Sequence, residues 1–125
     1  MVAYVFHEVE GFSKFGGYTG NGNADGPFVY TGFKVRWLMH KANNGAGWYI
    51  YDTVRDENNP LLFPLFPNTT GTESTYVYGI DFLSNGFKLR QPTGYGANYS
   101  GVDVFYMAFA EHPFVGDGTN PVTAR

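Results

Sequence analysis

The densest group of acidic side chains lies in residues 51–59 (YDTVRDENN), which contain Asp52, Asp56 and Glu57. Two carboxylates on either side of a glycosidic bond can cleave it, and Asp103 is a further candidate for such a pair. Arg55 stands among the first three acids, and a guanidinium forms bidentate pairs with carboxylates. The sequence therefore favours an ion pair that fixes a strand end, and a polysaccharide-cleaving enzyme is the alternative.

A half-motif for calcium occurs where Asn21, Asn23, Asp25 and Gly26 repeat the oxygen-ligand spacing of an EF-hand loop. The twelfth position of that loop falls on Gly32, which has no carboxylate to complete the site. We therefore predict an Asn/Gly turn here and no metal site.

Other residue types that bind metals or act as nucleophiles are few. The chain has no cysteine and no G-x-S-x-G motif. The three histidines, His7, His40 and His112, lie far apart, and we expect them to pack at the surface or at an interface. The sequence predicts no catalytic residue and no cofactor.

Tyrosines and amides in two predicted loops suggest sugar binding, since aromatic rings stack on the apolar faces of sugars while amides bond their hydroxyls. The candidate ligand-binding residues are Tyr18, Asn21, Asn23 and Asp25 in one loop, and Tyr95, Asn98 and Tyr99 in the other. The alternative is that tyrosines occupy half-buried strand positions and subunit interfaces.

Seventeen glycines and seven prolines interrupt the chain throughout and exclude long helices. The segments between them are rich in β-branched and aromatic residues and often alternate in polarity. Predicted strands cover residues 2–9, 28–30, 33–40, 48–53, 75–82, 86–90 and 102–111. This pattern predicts an all-β protein, a single-domain antiparallel β-sandwich, jelly-roll-like, over residues 1–125.

Two predicted strands carry most of this interpretation. In residues 33–40 (FKVRWLMH), strict alternation puts Phe33, Val35, Trp37 and Met39 on one face. Residues 102–111 are apolar on both faces, which is typical of a central strand covered on two sides.

The proline-rich segment 58–74 cannot form a central strand, yet it contains several large apolar side chains. Its candidate interface residues are Leu61, Leu62, Phe63, Leu65 and Phe66. Burial against other copies would form a homo-oligomer, with a trimer favoured. Alternatively, the segment caps the open end of the sandwich within one chain.

The low charge content limits the classes of partner. Charged residues make up 15% of the chain, lysine and arginine number 8, and the net charge is −3. Such a chain offers no broad positive surface, so we expect no nucleic-acid partner and no membrane partner. Its first ten residues lack the basic start of a secretion signal, and we expect a soluble protein.

The two ends of the chain are similar, since Phe6 and Glu8 have the same spacing as Phe109 and Glu111. Residues 1–12 are therefore candidates for the closing strand of a preceding repeat, and chance similarity among aromatic strands is the alternative.

Five blocks in order carry a resemblance to a known family: residues 11–33, 48–56, 81–90, 106–114 and 124–125. Together they resemble a domain found at or near the C-terminus of tail-fibre and related virion proteins of tailed bacteriophages. The resemblance implies a virion structural or host-attachment protein and transfers no catalytic residue.

We therefore expect a non-enzymatic virion protein, the distal domain of a tail fibre, that attaches as an oligomer to a glycan or protein of the host surface. Its other partners would be virion proteins. The main alternative is a capsid decoration or cement protein, and the polysaccharide-cleaving enzyme is the third.

Overall fold

Seven strands and no helix make up the part of the chain described by the structure, a computed structural model that covers residues 7–55, 57–61, 64–67, 70, 79–92 and 97–111. The strands are β1 (Ser13–Thr19), β2 (Phe28–Tyr30), β3 (Val35–Ala42), β4 (Trp48–Asp52), β5 (Ile80–Leu83), β6 (Gly86–Leu89) and β7 (Asp103–Ala110). With no helix in these residues, no membrane-spanning helix occurs among them either. The predicted all-β class is confirmed.

The strands form two antiparallel sheets. A four-stranded sheet has the order β1-β7-β3-β4, and a three-stranded sheet has the order β2-β6-β5. The chain passes repeatedly between the sheets, as in jelly-roll-like sandwiches. The predicted β-sandwich is confirmed, and β7 is central in the larger sheet as predicted.

The core lies between the two sheets. Its largest fully buried apolar side chains are Tyr51, Phe33, Phe87, Leu38, Leu61, Ile80 and Leu89. Each stabilises the fold by about 1.5–3 kcal/mol relative to an exposed position. Residues from both sheets contribute, so each sheet covers the apolar inner face of the other.

A β-bulge in β3 overturns the predicted face of this strand. The register against β7 shifts between Val35 and Trp37, and one extra residue moves every later side chain to the opposite face. Val35 is buried as predicted, but Leu38 and His40 take the core positions after the bulge. Trp37 therefore points away from the core.

Strand β1 was not predicted, because Gly16 and Gly17 interrupt its alternation. Both glycines are nevertheless paired with β7, opposite Tyr106 and Phe105. The Tyr106 ring occupies the space beside Gly16, where an added Cβ would lie 3.1 Å from the tyrosine hydroxyl. The loop predicted to begin at residue 18 therefore begins after Thr19.

The proline-rich segment bridges the open side of the sandwich. Leu61 pairs with Ile80 at the edge of the smaller sheet, and Leu65 pairs with Ile50 at the edge of the larger one. Leu61 is only 2% exposed and belongs to the core, so it offers no surface to another copy. This geometry matches the capping alternative at Leu61.

Two other members of the predicted interface lie in the same bridge. Leu65 is 38% exposed, and Phe66 packs edge-on against Tyr49 with ring centroids 5.2 Å apart. Leu62 and Phe63 lie outside the described residues. An oligomer built on this segment stays a prediction.

Candidate functional site

Asn98 joins the two predicted ligand-binding loops, and its side chain is completely buried. Its Oδ1 accepts the backbone N–H of Asn21 at 2.9 Å. Its Nδ2 donates to the carbonyls of Asn23 at 2.8 Å and Gln91 at 2.5 Å. A buried amide satisfied in this way positions the loops, and it offers no atom for a direct ligand contact.

The half-motif for calcium folds into two successive Asx turns. Asn21 Oδ1 accepts the N–H of Asn23, and Asn23 Oδ1 accepts the N–H of Asp25. Asn21 Nδ2 also donates to the Asp25 carbonyl. The side-chain oxygens that would bind a cation thus accept backbone hydrogen bonds. Among the described residues, no group of three or more potential metal ligands occurs.

Asp25 is attached to the smaller sheet by Lys88, whose Nζ lies 2.8 Å from the carboxylate. The hydrogen bond and positive charge of Lys88 lower the pKa of Asp25. Next to it, Gly26 packs so closely on β6 that an added Cβ would lie 2.5 Å from the Leu89 carbonyl. Glycine at this position lets the loop lie against the sheet.

The two described tyrosines of the predicted site are half-buried. Tyr18 donates to the Ala97 carbonyl at 3.2 Å and packs on Phe87, with ring centroids 5.9 Å apart. Burial raises the pKa of the Tyr18 hydroxyl well above its usual value. Tyr99 lies beside Asn98, and Tyr95 lies outside the described residues.

The structure thus brings six predicted ligand-binding residues to one end of the sandwich. We call this surface the loop platform and define it as residues 18–26 and 97–101. Asn21, Asn23 and Asp25 are its exposed polar members. Tyr18 and Asn98 support it from below.

A second surface, which sequence reasoning missed, covers the outer side of the four-stranded sheet. We call it the aromatic face, and it consists of Phe15, Trp37, Met39, Trp48, Phe105, Met107 and Phe109. These residues line a shallow groove of about 1240 Å³. Phe105 is 63% exposed and Trp48 is 38% exposed. Exposed apolar patches of this kind mark interaction sites.

Ring contacts hold the aromatic face in shape. Phe109 contacts two other rings of the face. Its ring centroid lies 5.6 Å from that of Trp37 and 6.2 Å from that of Phe15. Lys41 Nζ lies 5.9 Å from the centroid of Trp48 and donates to the Ala46 carbonyl at 2.6 Å. The face is therefore preorganised before any partner binds.

The sequence pattern did not predict this face for two reasons. Alternation assigned Trp37 to the core, and the bulge was not foreseen. The apolar outer side of β7 was expected to be covered, yet no described residue covers Phe105.

Two of the candidate catalytic acids, Asp52 and Asp103, lie far apart. Asp52 Oδ1 accepts the N–H of Val54, and Asp103 accepts the hydroxyl of Thr19. Asp52 pairs with Trp37, and Trp37 pairs with Phe109 on the next strand. Phe109 lies six residues, or about 20 Å, from Asp103 along β7. Asp56 lies outside the described residues.

Glu57 and Arg55 are the other described charged residues of the acidic cluster. Glu57 lines a separate groove of about 380 Å³, at whose rim Lys34 and Glu111 form an ion pair of 2.9 Å. Arg55 donates from Nη2 to the carbonyl of Ile50 at 3.4 Å.

A comparison with protein families matches residues 1–113 to a domain of unknown function, DUF7483. The chain belongs to this family. Comparisons with curated proteins and with solved structures find no match. The matched range includes both the loop platform and the aromatic face, so both surfaces are parts of the DUF7483 domain.

His40 is a core residue of this DUF7483 domain, contrary to the expectation of surface or interface packing. It is completely buried, and neither ring nitrogen has a hydrogen-bond partner among the described residues. Burial lowers its pKa from 6.5 to about 3. Tyr49 and Tyr51 contact the ring edge-on, with centroids 5.4 and 5.6 Å away. His40 therefore acts as a neutral aromatic spacer in the sheet. Of the other two, His7 is exposed and His112 lies outside the described residues.

Proposed function

We propose that this DUF7483 chain is a non-enzymatic structural module of a bacteriophage virion, the distal domain of a tail fibre that attaches to the host surface as an oligomer. The blocks that resemble tail-fibre domains support the virion assignment. The observation that carries the attachment role is the Asn98 cross-link, which fixes an exposed polar platform at one end of the sandwich.

The chemistry of the loop platform suits a sugar. Asn23 is exposed, and its Nδ2 donates no hydrogen bond to the described residues, so this amide is available to a ligand hydroxyl. Asp25 offers a carboxylate whose Oδ1 is already oriented by Lys88. Tyr99, which follows Asn98 in the chain and is half-buried, is the described aromatic candidate of the second loop. A small number of fixed polar groups next to an aromatic ring is a common design of sugar sites.

Such a shallow site binds one sugar weakly, because it desolvates little of the ligand. Several copies on one fibre raise the effective concentration at a repetitive host surface and convert weak sites into firm attachment. Rigid loops help, since their conformational entropy is already lost before binding.

Electron microscopy of virions labelled with an antibody against this chain tests the virion assignment. We expect label at the distal ends of tail fibres. Label on capsomers would replace this proposal with the decoration protein, and unlabelled virions that lack the chain by mass spectrometry would contradict both.

Glycan-array binding tests the role of the loop platform. The variant Asn23→Ser keeps an oxygen for the turn and removes the amide, while Asp25→Asn removes the charge. We expect both to lose the binding profile of the native chain. Asn85→Ala changes an exposed asparagine in the β5–β6 turn at the far end of the smaller sheet and serves as the control. Identical profiles for all four proteins would exclude the platform as the sugar site.

A further inference from the structure

The aromatic face is thin at one edge and thick at the other in one of its rows, whereas Phe15 stands on the β1 edge in the next row. One row of outward residues crosses all four strands of the larger sheet in the order Gly17, Phe105, Lys41 and Trp48. Glycine therefore occupies the β1 edge and tryptophan the β4 edge. A surface of this shape is complementary to itself when one copy is turned so that its thick edge covers the thin edge of the other.

We infer that the aromatic face binds a second copy of this chain, with a two-fold axis parallel to the strands. Such an axis keeps each row opposite the same row and reverses the strand order, so β4 of one copy covers β1 of the other. Trp48 then fills the space above Gly17 of its partner, and the stem and ammonium of Lys41 lie over Phe105. The pairing of a cation with an aromatic ring is favourable in a desolvated interface.

The middle row fits the same axis. It contains Phe15, Met107, Met39 and Ile50 across the four strands. Because the axis reverses the strand order, Met39 of one copy lies on Met107 of the other. Unbranched thioether side chains adapt well to each other. An axis perpendicular to the strands would instead place Trp48 on Asp52 and Phe105 on Phe109. That arrangement sets the Trp48 ring against a carboxylate and leaves Gly17 opposite Ser13, without a large neighbour.

The composition of the face favours a protein over a sugar. Methionine, phenylalanine and tryptophan are enriched in protein interfaces, whereas a sugar needs convergent polar groups. The third row contains Ser13, Phe109, Trp37 and Asp52 across the four strands, so Lys41 and Asp52 are the charged residues of the three rows. Self-complementary shape then selects a second copy over an unrelated protein.

The area of the face sets the expected affinity. Strands lie about 4.8 Å apart and same-face residues about 6.8 Å apart, so three rows on four strands cover about 400 Å². Two faces bury about 800 Å², which is below the roughly 1,200–2,000 Å² of stable specific interfaces and in the range of weak, transient ones. We therefore expect a weak, reversible dimer. This dimer specifies the oligomer of the proposed attachment role, but it is independent of where the protein sits in a virion.

Sedimentation velocity on the full chain, from about 10 µM to about 1 mM, tests the dimer. We expect reversible dimerisation that Gly17→Leu and Trp48→Ala each weaken at least about tenfold, or about 1.4 kcal/mol. The double variant should recover most of the affinity, because the new leucine fills the space left by tryptophan. Tyr30→Ala, an exposed aromatic of the other sheet, is the matched control.

A cross-link tests the axis without relying on the stability of those variants. The chain contains no cysteine, so Gly17→Cys and Trp48→Cys each introduce a single thiol. Facing sheets pack about 10 Å apart, within reach of a bismaleimide of similar length. We expect efficient cross-linking when the two variants are mixed and little when each is alone.

The opposite results overturn the inference. The inference would be wrong if the chain were monomeric at every concentration, or if Tyr30→Ala weakened dimerisation as much as the interface variants. It would also be wrong if the double variant dimerised no better than the single variants, or if cross-linking were equal in all samples. Saturable quenching of tryptophan fluorescence by a host polysaccharide in a strictly monomeric chain would identify a sugar as the occupant instead. None of these results affects the glycan-array test of the loop platform, so the two proposals fail separately.

Discussion

The side chain of Asn59 pairs with the backbone of Phe82 as a neighbouring strand would. Its Oδ1 accepts the N–H of Phe82, and its Nδ2 donates to the Phe82 carbonyl, both at 2.9 Å. Phe82 lies on β5, an edge strand of the smaller sheet. One amide therefore satisfies an edge position that would otherwise need a strand partner or water.

Replacing Asn59 with alanine should destabilise the fold. The substitution removes two hydrogen bonds at the sheet edge, and we expect a loss of about 1–3 kcal/mol in the free energy of unfolding. Urea denaturation measures this loss. Asn58→Ala changes the exposed neighbour and is the control, so equal stability of the two variants would show that water replaces the amide without cost.

Asn98→Asp should loosen the loop platform. The carboxylate has nearly the same shape, but it loses the donors to the carbonyls of Asn23 and Gln91 and places a negative charge against them. We expect a destabilisation of about 2–4 kcal/mol near neutral pH, partly recovered in acid where the carboxyl is protonated. Hydrogen exchange at the amides of Asn21 and Gly22 should accelerate in parallel, since both are bonded to Asn98.

Asn44→Asp is the matched control for that experiment, because Asn44 is an exposed asparagine in a turn. Unchanged exchange at Asn21 and Gly22 in the Asn98 variant would contradict the positioning role of the buried amide.

His40 should make the fold less stable in mild acid. Its pKa is about 3 in the folded chain and 6.5 as the reference for the unfolded chain. As the pH falls, the unfolded state therefore binds a proton before the folded state does. The contribution of the neutral His40 to the free energy of unfolding is complete above pH 6.5 and decreases as the pH falls toward 3. The loss between about pH 7 and about pH 5 is roughly 2 kcal/mol. The carboxylates Glu8 and Asp25 have lowered pKa values and act at more acidic pH.

Urea denaturation at the two pH values measures this effect, with His40→Phe as the comparison. Phenylalanine keeps an aromatic ring between Tyr49 and Tyr51 and cannot be protonated, so we expect its stability to be nearly constant over this range. A histidine chain with equal stability at both pH values would contradict the burial of an uncharged ring.

Sequence patterns predicted the strands whose composition or alternation in polarity can be seen within a single segment of the chain. The segments that became β4, β6 and β7 were all assigned as strands, because β-branched and aromatic residues dominate them. The loop platform was predicted in part, since asparagine and glycine turn signals are also local. The burial of Asn98 between the loops depends on a contact between segments more than seventy residues apart in the chain, as the hydrogen bond with Asn21 shows.

Two features of the fold could not be predicted from the local sequence pattern. The bulge after Val35 depends on the register between β3 and β7, and it alone decides whether Trp37 faces the core or solvent. Strand β1 depends on Tyr106, whose ring replaces the side chain that Gly16 lacks. Both are tertiary relationships that override propensity.

The pairing of Gly16 with Tyr106 gives the last prediction. An alanine at position 16 would place its Cβ 3.1 Å from the Tyr106 hydroxyl and 3.2–3.3 Å from two ring carbons. Tyr106 is 7% exposed and packs on Phe87, with ring centroids 5.3 Å apart, so it has little room to move. We expect Gly16→Ala to cost about 1–3 kcal/mol, the usual effect of overpacking.

A double-mutant cycle separates this clash from a general effect on the strand. Tyr106→Phe removes the closest atom, so Gly16→Ala should cost less in that background, with a coupling of about 0.5–1 kcal/mol. Gly17→Ala is the control: it lies next in the strand on the outer face, where an added Cβ meets the Val104 carbonyl at 3.3 Å and not Tyr106. Its cost should be the same with tyrosine or phenylalanine at position 106. Equal coupling for both glycines would mean that the tyrosine ring does not fill the space beside Gly16.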